Sequence, residues 1–595
     1  MALPVTLRRV MAASTYPRLA GTLVPVFALR REKDFGIGDT QAVCEAISFC
    51  AGHKLGLLQL LPINETGNDN SPYNAISSVA LDPVYLTLTP EKVPGLLPKV
   101  LDELCPDSLR AELQRGPVQY RRVKQLKLEI LSSAYVEFEA VDLEQGTDVA
   151  YEFQAFVESN IKWLSGYALF RTLVNEYNSA LWHEWAKEHQ DQVSAEIWLS
   201  TSKDREELVR YRQFIAYVQW IAWRQWREVR AWADQNQVRL VGDIPFGVAR
   251  CSADVWSERD LFDLTWSGGA PAEPYFAGDE FLRKWGQNWG IPLYDWAAHR
   301  AQNFAWWKQR VNTTSQIFHA FRIDHVLGFF RIYAFPWQPQ QNGEYAALSP
   351  EEAKKKAGGR EPHFVPQPDE PEENAEKNCM EGEALLKMIQ EEAGTTAVVA
   401  EDLGMVPKYV PKLLQKLGIP GFAIPQFIVD PETREFIPKE EMPELSIATW
   451  GTHDHAPLLT WYHDLTRRWR GPDGHEAWLE LQRLQRFLGI AKDKEEKEPP
   501  TFLTEELHEV FLRSLLEARS CWTIFVISDI FGLDLRFNHP GTANDDNWSQ
   551  RLDRPLAAYR DDPIIGPKLR FLRKEVISSK RVPEYIPSPF QGVFV

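Results

Sequence analysis

Short apolar runs that end in polar or turn residues recur along the chain. They span Leu23–Leu29, Leu55–Pro62, Val238–Asp243, Ala320–His325, Ala397–Asp402, Gly421–Pro425, Ser446–Asp454 and Trp522–Asp529. Continuous runs of this length suit strands buried on both faces of a parallel sheet. Between several of them the apolar spacing turns helical. This holds over Gln41–His53, over Tyr211–Asn236 (with Phe214, Ile215, Val218, Ile221 and Ala222 apolar) and over Lys408–Leu417. Strand and helix in alternation predict an α/β fold, and eight such runs predict a TIM (β/α)8 barrel rather than a doubly wound sheet. Three intervals break the rhythm. Residues 85–160 are helix-like and amphipathic, 338–392 are rich in Glu, Lys and Pro, and 463–518 are helical and charged, with a polar linker over Lys492–Pro500. The expected organisation is one catalytic barrel over residues 20–595. The three intervals are then insertions at the C-terminal face of the strands, either solubilising decoration or walls of a groove.

A chain of 595 residues that is 44% hydrophobic and 25% charged buries a large core. Its formal net charge of -17, without any run of five basic residues, repels phosphate backbones and makes nucleic acid a poor partner. The six cysteines are scattered, with no CxxC pair and no zinc-ligand spacing, which predicts free thiols, a reducing compartment and no metal site. Met1–Leu23 lacks an apolar signal core and no run reaches the length of a membrane span, so a cytoplasmic protein without membrane contact is expected, as a monomer or homodimer. The 22 tryptophans are the unusual feature. Most belong to the core. Trp256, Trp266, Trp289, Trp450 and Trp548 lie in loop-like sequence, where a flat ring suits the apolar face of a sugar.

The chemistry sits at the polar ends of the runs. Asp243 closes the third, Arg322 and Asp324 the fourth, Glu401 the fifth, and His453 and Asp454 the seventh. In a barrel those ends converge on one mouth. A lone Asp after a strand is usually a helix cap, and a lone His a satisfied core residue. Asp324 fits that ordinary reading badly, because it interrupts the apolar stretch Phe321–Phe330 beside Arg322. Three carboxylates with an Arg and a His suit glycoside chemistry, in which one carboxylate attacks the anomeric carbon and a protonated one serves the leaving oxygen.

The motifs run in a specific order: Phe35-Gly36-Ile37-Gly38-Asp39; Gln59-Leu60-Leu61-Pro62 with Ser71-Pro72-Tyr73; Gly242-Asp243-Ile244-Pro245 with Ser252–Trp256; Gly286–Tyr294; Arg322-Ile323-Asp324-His325; Ala400–Gly404; Gly451–Asp454; Arg536–Gly541 and Asn547-Trp548. On these the chain resembles the 4-α-glucanotransferases (amylomaltase or disproportionating enzyme, glycoside hydrolase family 77) of the α-amylase superfamily. The resemblance implies Asp324 as nucleophile and Glu401 as general acid, then base. Asp454 would bind ring hydroxyls and favour the distorted sugar. Arg322 would be the counter-charge to Asp324. His325 and His453 would hydrogen-bond sugar hydroxyls, Tyr73 would stack on the sugar at the cleaved bond, and Asp243 and Asn538 would share the groove. It implies transfer of α-1,4-glucan segments between malto-oligosaccharides, starch or glycogen chains, by a retaining double displacement needing no cofactor and no metal. A hydrolase on the same site and a non-catalytic glycan-binding protein are the alternatives. The loop Pro271–Trp285 and the stretch His455-Ala456-Pro457 depart from the family's pattern.

Overall fold

Eight parallel strands form the main sheet, seven of them at the predicted runs: β1 Leu19–Leu23, β2 Leu57–Gln59, β3 Arg239–Ile244, β6 Ala320–Ile323, β9 Ala397–Ala400, β10 Gly421–Ala423, β11 Ser446–Ala448 and β12 Trp522–Val526. They pair in the order β10-β11-β12-β1-β2-β3-β6-β9. The Ala400 N–H donates to the Pro420 carbonyl at 2.9 Å, which draws the end of β9 to the start of β10 and brings the sheet to near closure. The protein is described by a computed structural model over residues 16–67, 69–273, 279–472, 474–492, 497–542 and 546–583. Parts of the expected barrel ends, of the 271–285 loop and of the Lys492–Pro500 linker lie outside the described residues. Among the described residues no helix is long and apolar enough to cross a membrane.

The barrel strands are buried at nearly every position, as expected of strands covered by the core inside and helices outside. The first strand lies earlier than the apolar run predicts. Leu23–Leu29 was expected, but β1 ends at Leu23, and Val26–Ala28 is a 3-10 turn after Pro25. The physical reason is Gly21. A Cβ there would stand 2.4 Å from the Leu57 Cβ, so only glycine lets β1 and β2 approach, and the Gly weakens the apolar signal of the true strand. The predicted helices are found at Thr40–Gly52, Arg205–Gln235 and Tyr409–Leu417. Asp39 caps the first, accepting from the Ala42 N–H at 3.0 Å. On the second, the buried amides of Gln219 and Gln225 each make paired 2.9 Å bonds to main chain, at Leu81 and Thr87, and so fasten the segment after β2.

The connection from β2 to β3 holds the helices Pro98–Leu104, Asp107–Leu113, Tyr120–Phe138 and Asp148–Tyr177. Between β6 and β9 lie two short helices and the long Glu372–Ala393, and after β11 come Leu458–Trp469, Gly474–Phe487 and Glu505–Glu517. A second, antiparallel sheet is a feature the apolar runs did not predict. Its strands β4 Phe262–Ala270, β5 Gln287–Tyr294, β7 Ile332–Phe335 and β8 His363–Val365 stand in the order β5-β4-β7-β8. These strands are only partly buried over much of their length and are interrupted by glycines and bulges, so neither a continuous apolar run nor a clean alternation marks them.

Candidate active site

Asp243 in β3 and Arg322 in β6 are register partners, so the pairing of two central strands places them side by side. Arg322 Nη1 donates to both Asp243 oxygens, at 2.9 and 2.7 Å, and Nη2 reaches Asp324 Oδ1 at 2.7 Å. Tyr73, from the β2–β3 connection, donates its hydroxyl to Asp243 Oδ2 at 2.8 Å. One buried guanidinium thus joins two carboxylates, and its fork fixes their relative positions.

Glu401 follows β9 and is bound to the turn after Asp324. Its N–H donates to the Ile323 carbonyl at 2.9 Å and its own carbonyl accepts from the Val326 N–H at 3.0 Å. Its carboxyl accepts the His325 N–H at 2.7 Å and the Leu403 N–H at 2.9 Å. His325 is left-handed, with φ 44°, and that turn of the chain directly after Asp324 aims its amide at Glu401. Asp454, beyond β11, accepts from Asn538 Nδ2 at 2.6 Å and lies 3.3 Å from His453 Nε2. Arg536 Nη2 donates to the Asp454 carbonyl at 3.1 Å.

Burial separates the protonation states of these acids. Glu401 is pushed up to about 8, mainly by desolvation, with the Asp324 charge adding to the rise and Arg322 opposing it. For Asp454 desolvation also acts upward, but His453 and the Asn538 hydrogen bond outweigh it and hold the carboxylate below its ordinary range. Burial lowers both His453 and His325 to about 4, so the two imidazoles are neutral at pH 7. Asp243 is pushed up to about 7 by burial against the pull of Arg322. For Arg322 burial acts downward and is outweighed by Asp243 and Asp324, which hold it well above its usual value. Nη1 on both oxygens and the Tyr73 hydroxyl are donors that fit the ionised Asp243.

These groups line or underlie one cleft of about 1890 Å³ at the C-terminal ends of the strands. Single small-molecule sites occupy roughly 300–1000 Å³, so this cleft has room for a chain of several sugar units. Tyr73, Arg322, Asp324, His325, Glu401, Asp454 and Asn538 are on its surface. Asp243 and His453, 4% and 3% exposed, stand behind that surface. The second sheet supplies one wall through Gln287, Trp289 and Tyr333. Of the five loop-like tryptophans, Trp289 and Trp548 line the cleft, whereas Trp256 and Trp450 are core residues whose indole N–H groups donate to the His189 and Phe511 carbonyls. Trp266 packs on His363 and Arg360. Arg536 and Phe422 were not singled out from the sequence. Arg536 lies within the Arg-Phe-Asn-His motif, and Phe422, near the start of the apolar run Gly421–Pro425, faces Arg322 at 6.0 Å.

A (β/α)8 barrel whose strand ends hold a proton-bearing Glu beside an Arg-paired Asp defines an enzyme of the glycoside-processing class. The sequence model of the 4-alpha-glucanotransferases (glycoside hydrolase family 77) matches residues 24–557, and the chain belongs to that family, with its 4-alpha-glucanotransferase activity. It is 30% identical over 549 residues to the 4-alpha-glucanotransferase of Chlamydia pneumoniae, covering 89% of this chain and 91% of the relative. It is 29% identical over 524 residues to that of Synechocystis, covering 87% and 90%. Among solved structures, the amylomaltase of Streptococcus agalactiae in complex with acarbose superposes with a TM-score of 0.70 at 22% identity, covering 95% of this chain and 100% of that one. The amylomaltase of Corynebacterium glutamicum gives 0.72 at 20% identity, covering 94% and 76%. At these identities the structural likeness speaks for the fold.

Removing the shared guanidinium should be costly to stability. Arg322→Met would leave Asp243 and Asp324 without their buried counter-charge, and breaking such a network costs about 3–5 kcal/mol. A fall of several degrees in the thermal midpoint is expected, with a smaller fall for Arg322→Lys, which keeps the charge but not the fork. An unchanged midpoint in Arg322→Met would contradict the pairing.

Proposed function

We propose that the cleft transfers α-1,4-glucan segments between malto-oligosaccharides and soluble α-glucans by two displacements at one anomeric carbon. Asp324 attacks that carbon as the glycosidic C–O bond breaks, and Glu401 delivers its proton to the departing oxygen. A glucosyl ester on Asp324 results. The 4-hydroxyl of an acceptor sugar then gives its proton to Glu401, its oxygen takes the carbon, and the Asp324 carboxylate leaves. Two inversions retain the α configuration. Asp454 binds ring hydroxyls as a carboxylate and His325, being neutral, serves as a hydrogen-bond partner, while the neutral His453, expected from the resemblance to reach the sugar, stands behind Tyr73 and Asp454 instead. The observation that carries this reading is the pairing of a Glu401 that keeps its proton to about pH 8 with an Asp324 held by Arg322, at the ends of two neighbouring strands joined by the His325 amide.

The carboxyl-bearing cleft also has an aromatic lining, Tyr73, Trp289, Phe422, Phe427 and Trp548, suited to sugar faces. Such a lining favours a sugar hydroxyl over water in the second step. Incubation with maltotriose is expected to give glucose and a ladder of longer and shorter oligomers without a rise in total reducing ends. A rise in reducing ends in step with substrate loss would mean hydrolysis.

A further inference from the structure

Trp548 has a left-handed backbone, φ 62°. A bulky residue adopts that conformation only where its surroundings over-determine it, and such strain clusters at functional sites. Its indole meets the Tyr73 ring at 5.8 Å and 47° and the His453 ring at 5.8 Å and 43°. Tyr73 and His453 stack on each other at 5.2 Å and 11°. The three rings form one aromatic group beside Asp454 and Arg322, and Trp548 is 8% exposed.

Three hydrogen bonds impose the turn. The Trp548 N–H donates to the Phe537 carbonyl at 2.8 Å, within the same C-terminal segment. The other two come from the start of the helix Tyr120–Phe138, hundreds of residues away in the chain. The Val118 N–H donates to the Ser549 carbonyl at 2.8 Å, and the Tyr120 hydroxyl donates to the Trp548 carbonyl at 2.7 Å. Tyr120 is 7% exposed, with the buried Tyr85 phenol beside it. Burial pushes Tyr120 well above the ordinary phenol range, so it remains a donor at any working pH.

We propose that Tyr120 is a positioning residue for glucan transfer: its hydroxyl latches Trp548 into the left-handed turn that sets the indole against Tyr73 and His453. The helical connection between β2 and β3, whose Val118–Arg122 stretch borders the cleft, thereby shapes the catalytic wall. This rests on the assignment of the Asp324–Glu401 cleft as the site of transfer. Tyr73 flanks the reacting sugar in that assignment and His453 stacks behind it, so a shift of Trp548 disturbs the transition state more than ground-state binding.

A double-mutant cycle tests the latch. Tyr120→Phe is expected to lower kcat for maltotriose disproportionation about tenfold, the worth of one buried hydrogen bond, with KM within about twofold. Trp548→Gly removes the indole and accepts the left-handed turn freely. In that background Tyr120→Phe should add less than about a twofold loss, because no strained residue is left to hold. An unchanged kcat in Tyr120→Phe, or the same tenfold loss in both backgrounds, overturns the proposal. If Tyr120→Phe does not fold, the Trp548→Gly variant alone decides: a kcat within about twofold of the unaltered enzyme overturns the proposal, because the placement of the indole then does not matter. Asp324→Asn run in parallel separates the two levels. Full turnover in Asp324→Asn sinks the site assignment itself, whereas an inactive Asp324→Asn with a fully active Tyr120→Phe sinks only the latch.

Discussion

Asp324→Asn is expected to cut maltotriose disproportionation by on the order of 10^4-fold or more, because the amide cannot form the ester on which both displacements depend. Oligosaccharide binding should stay within about threefold, since Asn keeps the volume and an oxygen to accept from Arg322 Nη2, which lies 2.7 Å from Asp324 Oδ1. Initial rates and calorimetric titration with maltoheptaose measure the two quantities. Azide identifies the role further. With Asp324→Ala and α-glucosyl fluoride, a small anion can occupy the vacated position and attack once, so the product should be the inverted β-glucosyl azide. An α product would mean that another side chain still attacks the carbon.

Glu401→Gln is expected to lower maltotriose turnover by on the order of 10^3-fold, within the usual range for losing a general acid. The loss should be much smaller with α-glucosyl fluoride as donor, whose leaving group needs no proton. The pH dependence follows from the same residue. Its folded pKa of about 8 lies above the ordinary carboxyl value, so the proton is present below pH 8 and lost as pH rises through it. In the unaltered enzyme kcat/KM should therefore fall on the basic side with a midpoint near pH 8, and that limb should vanish in Glu401→Gln. A basic limb that persists unchanged in the Gln variant would assign the proton to another group.

Much of this site could be read from the sequence because barrel geometry converts strand order into spatial proximity. Asp324 interrupting Phe321–Phe330 and Glu401 ending Ala397–Ala400 are visible as polar residues where an apolar run should continue or turn. The second sheet was not visible, although it carries Trp289 into the cleft. Its strands are half-exposed, and β4 pairs with β5 through register shifts between Asp263 and Gly269. Its pattern is set by partners rather than by a regular period. Trp256 and Trp450 show the converse. Their loop-like neighbours suggested a sugar platform, yet both rings are core, because local sequence does not reveal which side of a turn faces the interior.

What the sequence determined by itself is the set of acids, their order and the strand ends on which they stand, since hydrophobic pattern and strand polarity are properties of the chain alone. Tertiary structure decided how those acids differ. The β3–β6 register puts Arg322 between Asp243 and Asp324, the left-handed turn at His325 points an amide at Glu401, and Tyr120 reaches across the fold to Trp548. Proton affinity and side-chain aim come from desolvation and from charges acting through space, and those distances exist only once the distant segments are packed together.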